Sequence, residues 1–352
     1  MSETAQFRAL VMRGRPRGAL TSGSTGEAMA TPGDVTVEEL ELAALPAADI
    51  TLEVGEARLS FRDSLTLMGR DRWVGRYPHI AGSEFVGTVI DSNDPRFSKG
   101  QQVFAGGHGL GERYWGGFAE RVRLIGDWLM PVPQGVSADA MIRGGLPFVT
   151  AQMVLDALNQ QGFKPEHGPV LVTHLSSEVG IAVFQLLRHH GFETAVATDS
   201  DEMDEALSAL GVGEVVSHRA LLERSGPVLG KENWAAIVDT AGGNLLAAAL
   251  SELRSGGIAV VAAPTLGHDL PGDLSPFVVR GCRMMGVNPQ NLTESARQLV
   301  WERLSPVLSA PQDEAMASLI ASRTVSLEQV PEIAARLLQG DVRGQVIVNL
   351  AS

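Results

Sequence analysis

The chain has 352 residues, of which 44% are hydrophobic and 20% are charged. This composition is typical of an ordinary globular protein and excludes fibrous and disordered classes. The formal net charge of −13 argues against a nucleic-acid surface, because phosphate binding needs clustered Lys and Arg. The length predicts two domains, at about 100 to 200 residues each.

The cysteine usage narrows the chemistry and the compartment. The single cysteine, Cys282, excludes an intramolecular disulfide and a cysteine-rich zinc site. A reducing, cytoplasmic compartment fits this usage. No window approaches the about 18 apolar residues of a membrane span, and the N-terminus lacks an apolar stretch of signal-peptide length. We therefore expect no membrane insertion and no targeting segment.

The first third of the chain predicts a β-rich domain. Apolar and polar residues alternate on a two-residue period, between Gly, Pro and Asp, at 7–12, 35–40, 50–54 and 86–90. Residues 17–33 are rich in Gly, Ser and Thr and predict a loop or an extended hairpin.

From about residue 137, helical and strand patterns alternate, which predicts a parallel, doubly wound sheet. The predicted elements are helix 139–161, strand 170–173, helix 179–189, strand 194–197, helix 201–210, strands 214–217 and 236–239, helix 245–253 and strand 257–262. A mixed tail adds helix 294–308, strand 321–325, helix 329–339 and strand 344–350. We expect residues 290–352 to complete the β-rich domain of 1–136, and residues 137–289 to form a Rossmann cofactor-binding domain.

The segment 170–180, VLVTHLSSEVG, lies where a dinucleotide-binding turn belongs. Such a turn is normally rich in glycine, because backbone amides and a helix N-terminus must approach a pyrophosphate closely. Here only Gly180 remains. A Glu178 carboxylate about 4 Å from a phosphate charge would cost on the order of 4 kcal/mol at an effective dielectric constant near 20. As a first-turn residue, however, Glu178 favours the helix dipole.

Other segments point to a known family. The stretch 82–89, GSEFVGTV, matches a GHExxGxV signature with Ser83 in place of a zinc-ligating histidine. Further matches run in order: DPRF at 94–97, WGGFAE at 115–120, GDWL at 126–129, DTAG at 239–242 and PFVVR at 276–280. Together they resemble the medium-chain dehydrogenase/reductase family, in particular its zinc-free branch of acryloyl-CoA reductases and quinone oxidoreductases. The resemblance implies an α/β fold with a GroES-like β-rich catalytic domain, a doubly wound parallel Rossmann domain and an active site in the cleft between them.

The resemblance also implies hydride transfer from NADP(H) or NAD(H) to an activated alkene or a quinone. The family motif beside the nicotinamide resembles Asn-Tyr-Lys-Asp and reads Ser60-Phe61-Arg62-Asp63 here. It implies that Ser60 and Arg62 position the cofactor or the acyl carbonyl and that Asp63 orients Arg62. Phe61 has lost the phenol that could donate a proton or a hydrogen bond.

The cofactor-binding residues are carried over in the same way. The resemblance assigns the pyrophosphate to Ser176, Ser177, Val179 and Gly180, the adenosine end to Thr198 and Ser200, and the nicotinamide pocket to Thr150, Pro264, Phe277, Val279 and Asn288. At the adenosine end, Thr198-Asp199-Ser200 replaces a Ser-Gly-Arg stretch whose cation contacts the 2′-phosphate of NADPH. Losing such a contact typically costs about 1.5 to 3 kcal/mol, whereas an acidic residue suits the free ribose hydroxyls of NAD.

No metal is expected, because a catalytic zinc needs three protein ligands and the eight histidines show no ligand spacing. We interpret Glu84 as a structural carboxylate in preference to a general acid. By analogy with relatives, we expect a homodimer formed through the edge of the Rossmann sheet, near 257–264 and 276–284.

Two hypotheses about function remain. The first is a zinc-independent reductase that acts on a small-molecule substrate. The second is a cofactor-degenerate relative that binds a ligand or a partner protein without redox turnover. The second is motivated by correlated losses at one site, since the loop glycines and the 2′-phosphate cation are both replaced.

Overall fold

The computed structural model describes residues 5–16, 34–199, 204–224, 228–310, 314–320, 322–342 and 344–351. The predicted loop at 17–33 lies outside these residues. The chain forms two compact units, Met1–Leu146 with Ala321–Ser352, and Pro147–Ile320. Within the described ranges, no helix combines the length and the apolar character needed to cross a bilayer.

The first unit is built mainly of antiparallel strands. Its strands are β1 Gln6–Met12, β2 Val35–Glu41, β3 Ile50–Arg58, β4 His79–Ile80, β5 Glu84–Ser92, β6 Gln102–Gly106, β7 Arg121–Leu124, β8 Leu129–Pro131, β15 Ser322–Val325 and β16 Gln345–Asn349. One sheet has the order β2-β1-β4, and the other has the order β15-β16-β3-β5-β6-β8, with β7 paired to β3. Helices α1 (Phe61–Leu67) and α10 (Val330–Gln339) pack against each other beside these sheets.

Alternation along β3 shows why these segments are strands. Ile50, Leu52 and Val54 are buried, so one face of the strand lies in the core. The strand continues to Arg58, four residues beyond its predicted end. The prediction ended early because the pairing with β5 shifts register between Val54 and Glu56. Such an irregularity breaks the two-residue period on which the sequence prediction depended.

The second unit contains a parallel six-stranded sheet, as predicted. Its strands are β9 Val170–Val172, β10 Thr194–Ala197, β11 Glu214–Val216, β12 Trp234–Asp239, β13 Leu253–Val261 and β14 Arg283–Gly286. The order is β11-β10-β9-β12-β13-β14, and every pairing is parallel. The strand order reverses between β9 and β12, and ligands of such sheets bind at the carboxyl ends of the strands at this point.

The remaining helices are α2 Ala138–Gln160, α3 Glu178–His189, α4 Asp204–Ala209, α5 His218–Arg224, α6 Gly243–Ser251, α7 Ser275–Val278, α8 Glu294–Ser309 and α9 Glu314–Leu319. The expected domain boundaries fell after residue 136 and before residue 290. In the structure α8 and α9 belong to the second unit. Trp301 and Leu304 of α8 are buried there, and Arg303 forms an ion pair with Asp156 of α2 at 2.7 Å.

A buried ion cluster fixes an interruption in α2. Gly145 has φ 53° and ψ −159°, a left-handed backbone that favours glycine. Arg58 is fully buried, and its Nη1 donates to the carbonyl of Arg143 at 2.9 Å. Glu84 accepts a hydrogen bond from the N–H of Leu146 at 2.7 Å. This geometry favours the structural interpretation of Glu84.

Candidate functional site

The turn between β9 and α3 is held by side-chain hydrogen bonds in place of glycine-rich backbone. Leu175 is buried, and its N–H donates to the carbonyl of Ala197 at the end of β10, at 3.0 Å. Ser177 caps α3: its Oγ accepts from the N–H of Gly180 at 2.9 Å and donates to the carbonyl of His174 at 3.0 Å. The serines therefore give this loop a defined conformation at the helix N-terminus.

Gly180 keeps the close approach that dinucleotide-binding turns need. A Cβ at this position would overlap the carbonyl oxygen of His174 and would lie 2.9 Å from Ser177 Oγ. Glycine at this position allows the helix to pack against the strand, as the last glycine of the dinucleotide-binding fingerprint does. Val179, the second residue of α3, is half-buried.

A hydrogen-bond network joins the carboxyl ends of β9 and β12 at the point where the strand order reverses. Thr173 Oγ1 donates to Asp239 Oδ1 at 2.6 Å and accepts from the N–H of Thr240 at 3.1 Å. Asp239 Oδ2 accepts from the N–H of Gly242 at 3.0 Å. Burial raises the pKa of Asp239, and these hydrogen bonds oppose the rise. Thr173, which was not predicted as a site residue, joins the ends of the two strands through these hydrogen bonds.

The predicted adenosine end of the site contains Thr198 and Asp199. Thr198 Oγ1 lies 3.0 Å from Ser176 Oγ, so the structure brings two predicted cofactor residues together. Asp199 Oδ1 accepts from the N–H of His218 at 2.8 Å, and its Oδ2 lies 3.0 Å from His218 Nδ1. The Asp199 side chain remains 60% exposed, which leaves room for a further donor. Ser200 lies outside the described residues.

Two histidines that were not predicted as site residues, His174 and His218, lie near Asp199. The rings of His174 and His218 have centroids 5.2 Å apart. Burial is the main cause that lowers the pKa of His174 to about 4; the neighbouring His218 contributes to the shift and Asp199 opposes it. His174 is therefore neutral near pH 7 and adds no positive charge to the turn that carries Glu178.

The motif at residues 60–63 begins α1. Ser60 is its N-cap: Oγ accepts from the N–H of Asp63 at 3.1 Å and donates to Asp63 Oδ2 at 2.5 Å. The buried Asp63 also accepts from the N–H and the hydroxyl of Ser83, at 2.8 and 3.1 Å. Burial raises the pKa of Asp63, although the serine hydrogen bonds oppose the rise.

Arg62 has a different partner from the one that the sequence predicted. Asp63 was expected to orient it, but Asp63 faces Ser60 and Ser83. Arg62 instead forms a bidentate ion pair with the buried Glu112. Its guanidinium also lies 3.9 Å from the ring centroid of Trp73. These partners lie outside the motif, so its local pattern did not reveal them.

The predicted nicotinamide-pocket residues have varied surroundings. Thr150 is buried on α2. Pro264 follows β13 and contacts the turn after β12, since a Cβ at Gly242 would lie 2.9 Å from its Cβ. The preceding Ala263 has φ 54°, a left-handed conformation that few non-glycine residues adopt.

The other three predicted pocket residues have surface or packing roles. Phe277 packs against the core of the second unit, Val279 is 68% exposed at the end of α7, and Asn288 caps the turn Pro289–Asn291. In the described part of the chain, no hydrogen bond or ring contact joins these three residues to the turn after β9.

The structure gives no cluster of ligands for a metal ion in the residues that it describes, where no group of three or more His, Cys, Asp and Glu is suitably placed. Ser83 stands at the position of a zinc-ligating histidine in the family signature. Its hydroxyl and N–H are both committed to Asp63. The Asp63 carboxylate and Ser83 are therefore hydrogen-bonded to each other.

Two known domain families match this chain, one mainly in the first unit and one in the second. The alcohol dehydrogenase GroES-like domain matches residues 46–134, and the zinc-binding dehydrogenase domain matches residues 179–305. The acrylyl-CoA reductase AcuI of Ruegeria pomeroyi is 32% identical over 314 residues, which cover 89% of this chain and 94% of the relative.

Two solved structures are similar over nearly the whole chain. The YhdH oxidoreductase of Salmonella enterica in complex with NADP has a TM-score of 0.84 and 31% identity, covering 98% of this chain and 100% of the other. The YhfP protein of Bacillus subtilis with NAD bound has a TM-score of 0.84 and 32% identity, with the same coverage. The chain therefore belongs to the medium-chain dehydrogenase/reductase family, with a GroES-like domain and a Rossmann domain.

Proposed function

We propose that this chain is a zinc-independent reductase that transfers hydride from a nicotinamide cofactor to an activated alkene of the acryloyl-thioester type, or to a quinone. The observation that carries the proposal is the ordered turn between β9 and α3, at the point where the strand order of the parallel sheet reverses. Relatives support it, because one is named an acrylyl-CoA reductase and two similar structures hold NADP or NAD.

The residues of the turn fit a dinucleotide. The helix dipole gives positive character to the N–H groups at the start of α3, of which that of Gly180 bonds Ser177 Oγ. The Ser176 and Ser177 hydroxyls lie in the same turn, and Gly180 lets the start of α3 pack closely against this turn. Asp199 has the charge and the exposure to accept from ribose hydroxyls, so we propose NAD as the preferred cofactor. Glu178 opposes binding by its charge.

Arg62 is the residue that we assign to the substrate carbonyl. A bound nicotinamide would supply the hydride, and negative charge would develop on the acyl oxygen of a thioester that accepts it. The Arg62 side chain is 48% exposed and is pre-oriented by Glu112 and Trp73, so its remaining N–H groups can stabilise that oxygen. Ser60 and Asp63 satisfy each other, and we assign them the role of holding the start of α1.

The test of this role is a kinetic comparison. Arg62→Gln is expected to lower kcat/KM for acryloyl-CoA by about a hundredfold, the usual cost of losing an oxyanion donor. The control, Arg336→Gln, changes the net charge equally on α10 and is expected to keep wild-type kinetics. Equal kinetics for both variants would remove Arg62 from the mechanism. Dialysis against EDTA is expected to leave turnover unchanged, and activity that needs added zinc would contradict zinc independence.

A homodimer through the free edge of the parallel sheet completes the proposal. The edge strand β14 pairs only with β13 among the described strands. Met284 on this strand is 41% exposed, and Leu274, Val278 and Val279 nearby are 72%, 78% and 68% exposed. Exposed edges with apolar side chains are typical pairing surfaces. Light scattering is expected to give twice the chain mass for the wild type and a monomer for Met284→Lys; a monomeric wild type would contradict it.

A further inference from the structure

A cleft of about 500 Å³ lies in the first unit and has no role in the site described above. Three aromatic side chains, Tyr114, Trp115 and Trp128, line it. Four arginines line it as well: Arg76, Arg113, Arg121 and Arg123. A volume of this size accommodates a nucleotide-sized ligand.

The cleft is positively charged in a chain whose net charge is −13. Among the described residues that line it, there is no Asp or Glu. Arg121 pairs with Glu53 at 2.7 Å, and Arg123 donates to the neutral hydroxyl of Thr51 at 3.2 Å. The side chains of Arg76 and Arg113 have no ion pair or hydrogen bond among the described residues. Within the described ranges, the cleft therefore presents guanidinium groups that no carboxylate pairs with, and such groups favour phosphate oxygens.

The aromatic residues provide a fixed surface for a planar ring. The rings of Tyr114 and Trp128 have centroids 4.7 Å apart, and His108 stacks on Trp128 at 5.8 Å. Trp115 Nε1 donates to the carbonyl of Pro78 at 3.1 Å, which fixes its indole ring. Such aromatic surfaces stack nucleobases irrespective of base identity.

A buried polar atom adds a second observation. His79 lines the cleft and is 3% exposed. Its Nε2 is buried and has no hydrogen-bond partner in the described part of the chain. Buried polar atoms are normally satisfied, so this nitrogen leaves an unmet hydrogen-bonding capacity in a residue that lines the cleft.

The cleft is also close to the motif that carries Arg62. Ile80, which lines it, is three residues from Ser83, so their Cα atoms are at most about 11 Å apart. Ser83 in turn donates to Asp63 of α1. A ligand with one end in the cleft could therefore reach α1 through a flexible arm.

We propose that this cleft binds the phosphorylated adenosine end of a CoA thioester, with adenine on the aromatic surface and the phosphates on Arg76 and Arg113. The inference rests on the proposed function, which supplies the thioester. Charge complementarity selects this occupant, since a terminal phosphate carries about two negative charges near pH 7. The acyl end is then presented to Arg62 by the pantetheine arm.

The test uses adenosine 3′,5′-bisphosphate as the probe, titrated into the full chain by calorimetry with NADH saturating, so that the dinucleotide site is occupied. Arg76→Ala, Arg113→Ala and Trp128→Ala are each expected to raise its Kd about tenfold, as the loss of a charged hydrogen bond or a stacked base does. The control Arg72→Ala removes the same charge from the same loop, outside the cleft, and is expected to change Kd by less than about twofold. Absence of binding, or an equal effect of Arg72→Ala, would overturn the proposal.

A kinetic comparison separates this proposal from the proposed function. Acryloyl-CoA is expected to have a lower KM than acryloyl-pantetheine, and Arg76→Ala is expected to narrow that difference. Reduction of both thioesters with the same KM would overturn the cleft assignment and leave the reductase intact. Binding of the bisphosphate in the cleft, without reduction of either thioester, would support the assignment of the cleft and remove the proposed function.

Discussion

Glu178→Gln is expected to tighten cofactor binding while it weakens the fold. The carboxylate is half-buried at the first residue of α3, and the neighbouring His174 is neutral near pH 7 because burial lowers its pKa to about 4. Repulsion from a phosphate about 4 Å away amounts to about 1 kcal/mol in bulk water and about 4 kcal/mol at an effective dielectric constant of 20. A half-buried position lies between these limits, so we expect the variant to gain about 1 to 2 kcal/mol, or about a 5- to 30-fold lower Kd.

The opposite effect on stability makes this prediction specific. Glu178 stabilises the positive end of the α3 dipole, so its loss should lower the free energy of unfolding by about 0.3 to 1 kcal/mol. Urea unfolding measures this loss, and nicotinamide fluorescence measures the Kd for NADH. Glu294→Gln is the control, because Glu294 is the first residue of α8 in the same unit. It should lose comparable stability with no change in Kd. A Kd that rises or stays constant in Glu178→Gln would refute the electrostatic argument.

Three further predictions concern the same edge of the sheet. Gly180→Ala forces a Cβ against the His174 carbonyl and is expected to lower the free energy of unfolding by about 1 to 3 kcal/mol. In the control Gly213→Ala, the new Cβ would make only ordinary contacts, so no loss is expected. Equal urea unfolding curves for the two variants would contradict this reasoning. Thr173→Val removes the hydroxyl between Asp239 and Thr240 and should cost about 1 to 3 kcal/mol in urea unfolding, unlike Thr324→Val, which removes an exposed hydroxyl on β15. The folded-state pKa of His174 lies below its unfolded value, so its contribution to stability is present above about pH 6.5 and is lost as the pH falls towards 4. The wild type should lose about 2 kcal/mol between pH 7.5 and pH 5 that His174→Gln does not lose, and parallel pH profiles would show this reasoning to be wrong.

Periodicity predicted the architecture because apolar residues decide which faces are buried. The parallel sheet and its order of strands and helices followed from short apolar runs such as 170–172 and 234–239. Element ends were less accurate where local geometry interrupts the pattern, as at the register shift in β3. The placement of α8 depends on the burial of Trp301 and Leu304 in the second unit, and no local pattern shows which unit buries them.

The candidate site was predicted only in part, for a similar reason. Motif spacing pointed to Ser60 and Ser177, whose hydrogen-bond partners Asp63 and Gly180 are each three residues away in the sequence. The partners of Arg62 and Asp199 are 50 and 19 residues away along the chain, and only tertiary packing brings them together. Such side chains carry no periodic signal, so Glu112 and His218 emerged from the structure alone.

The central claim is that the turn between β9 and α3 accepts a dinucleotide despite its missing glycines. Titration of NADH and NADPH into the purified chain, followed by nicotinamide fluorescence, tests this claim most directly. We expect saturable binding of NADH, and binding of NADPH at least about tenfold weaker, because Asp199 replaces the cation for the 2′-phosphate. No signal from either nucleotide at millimolar concentration would contradict the account and favour a family member that has lost its cofactor.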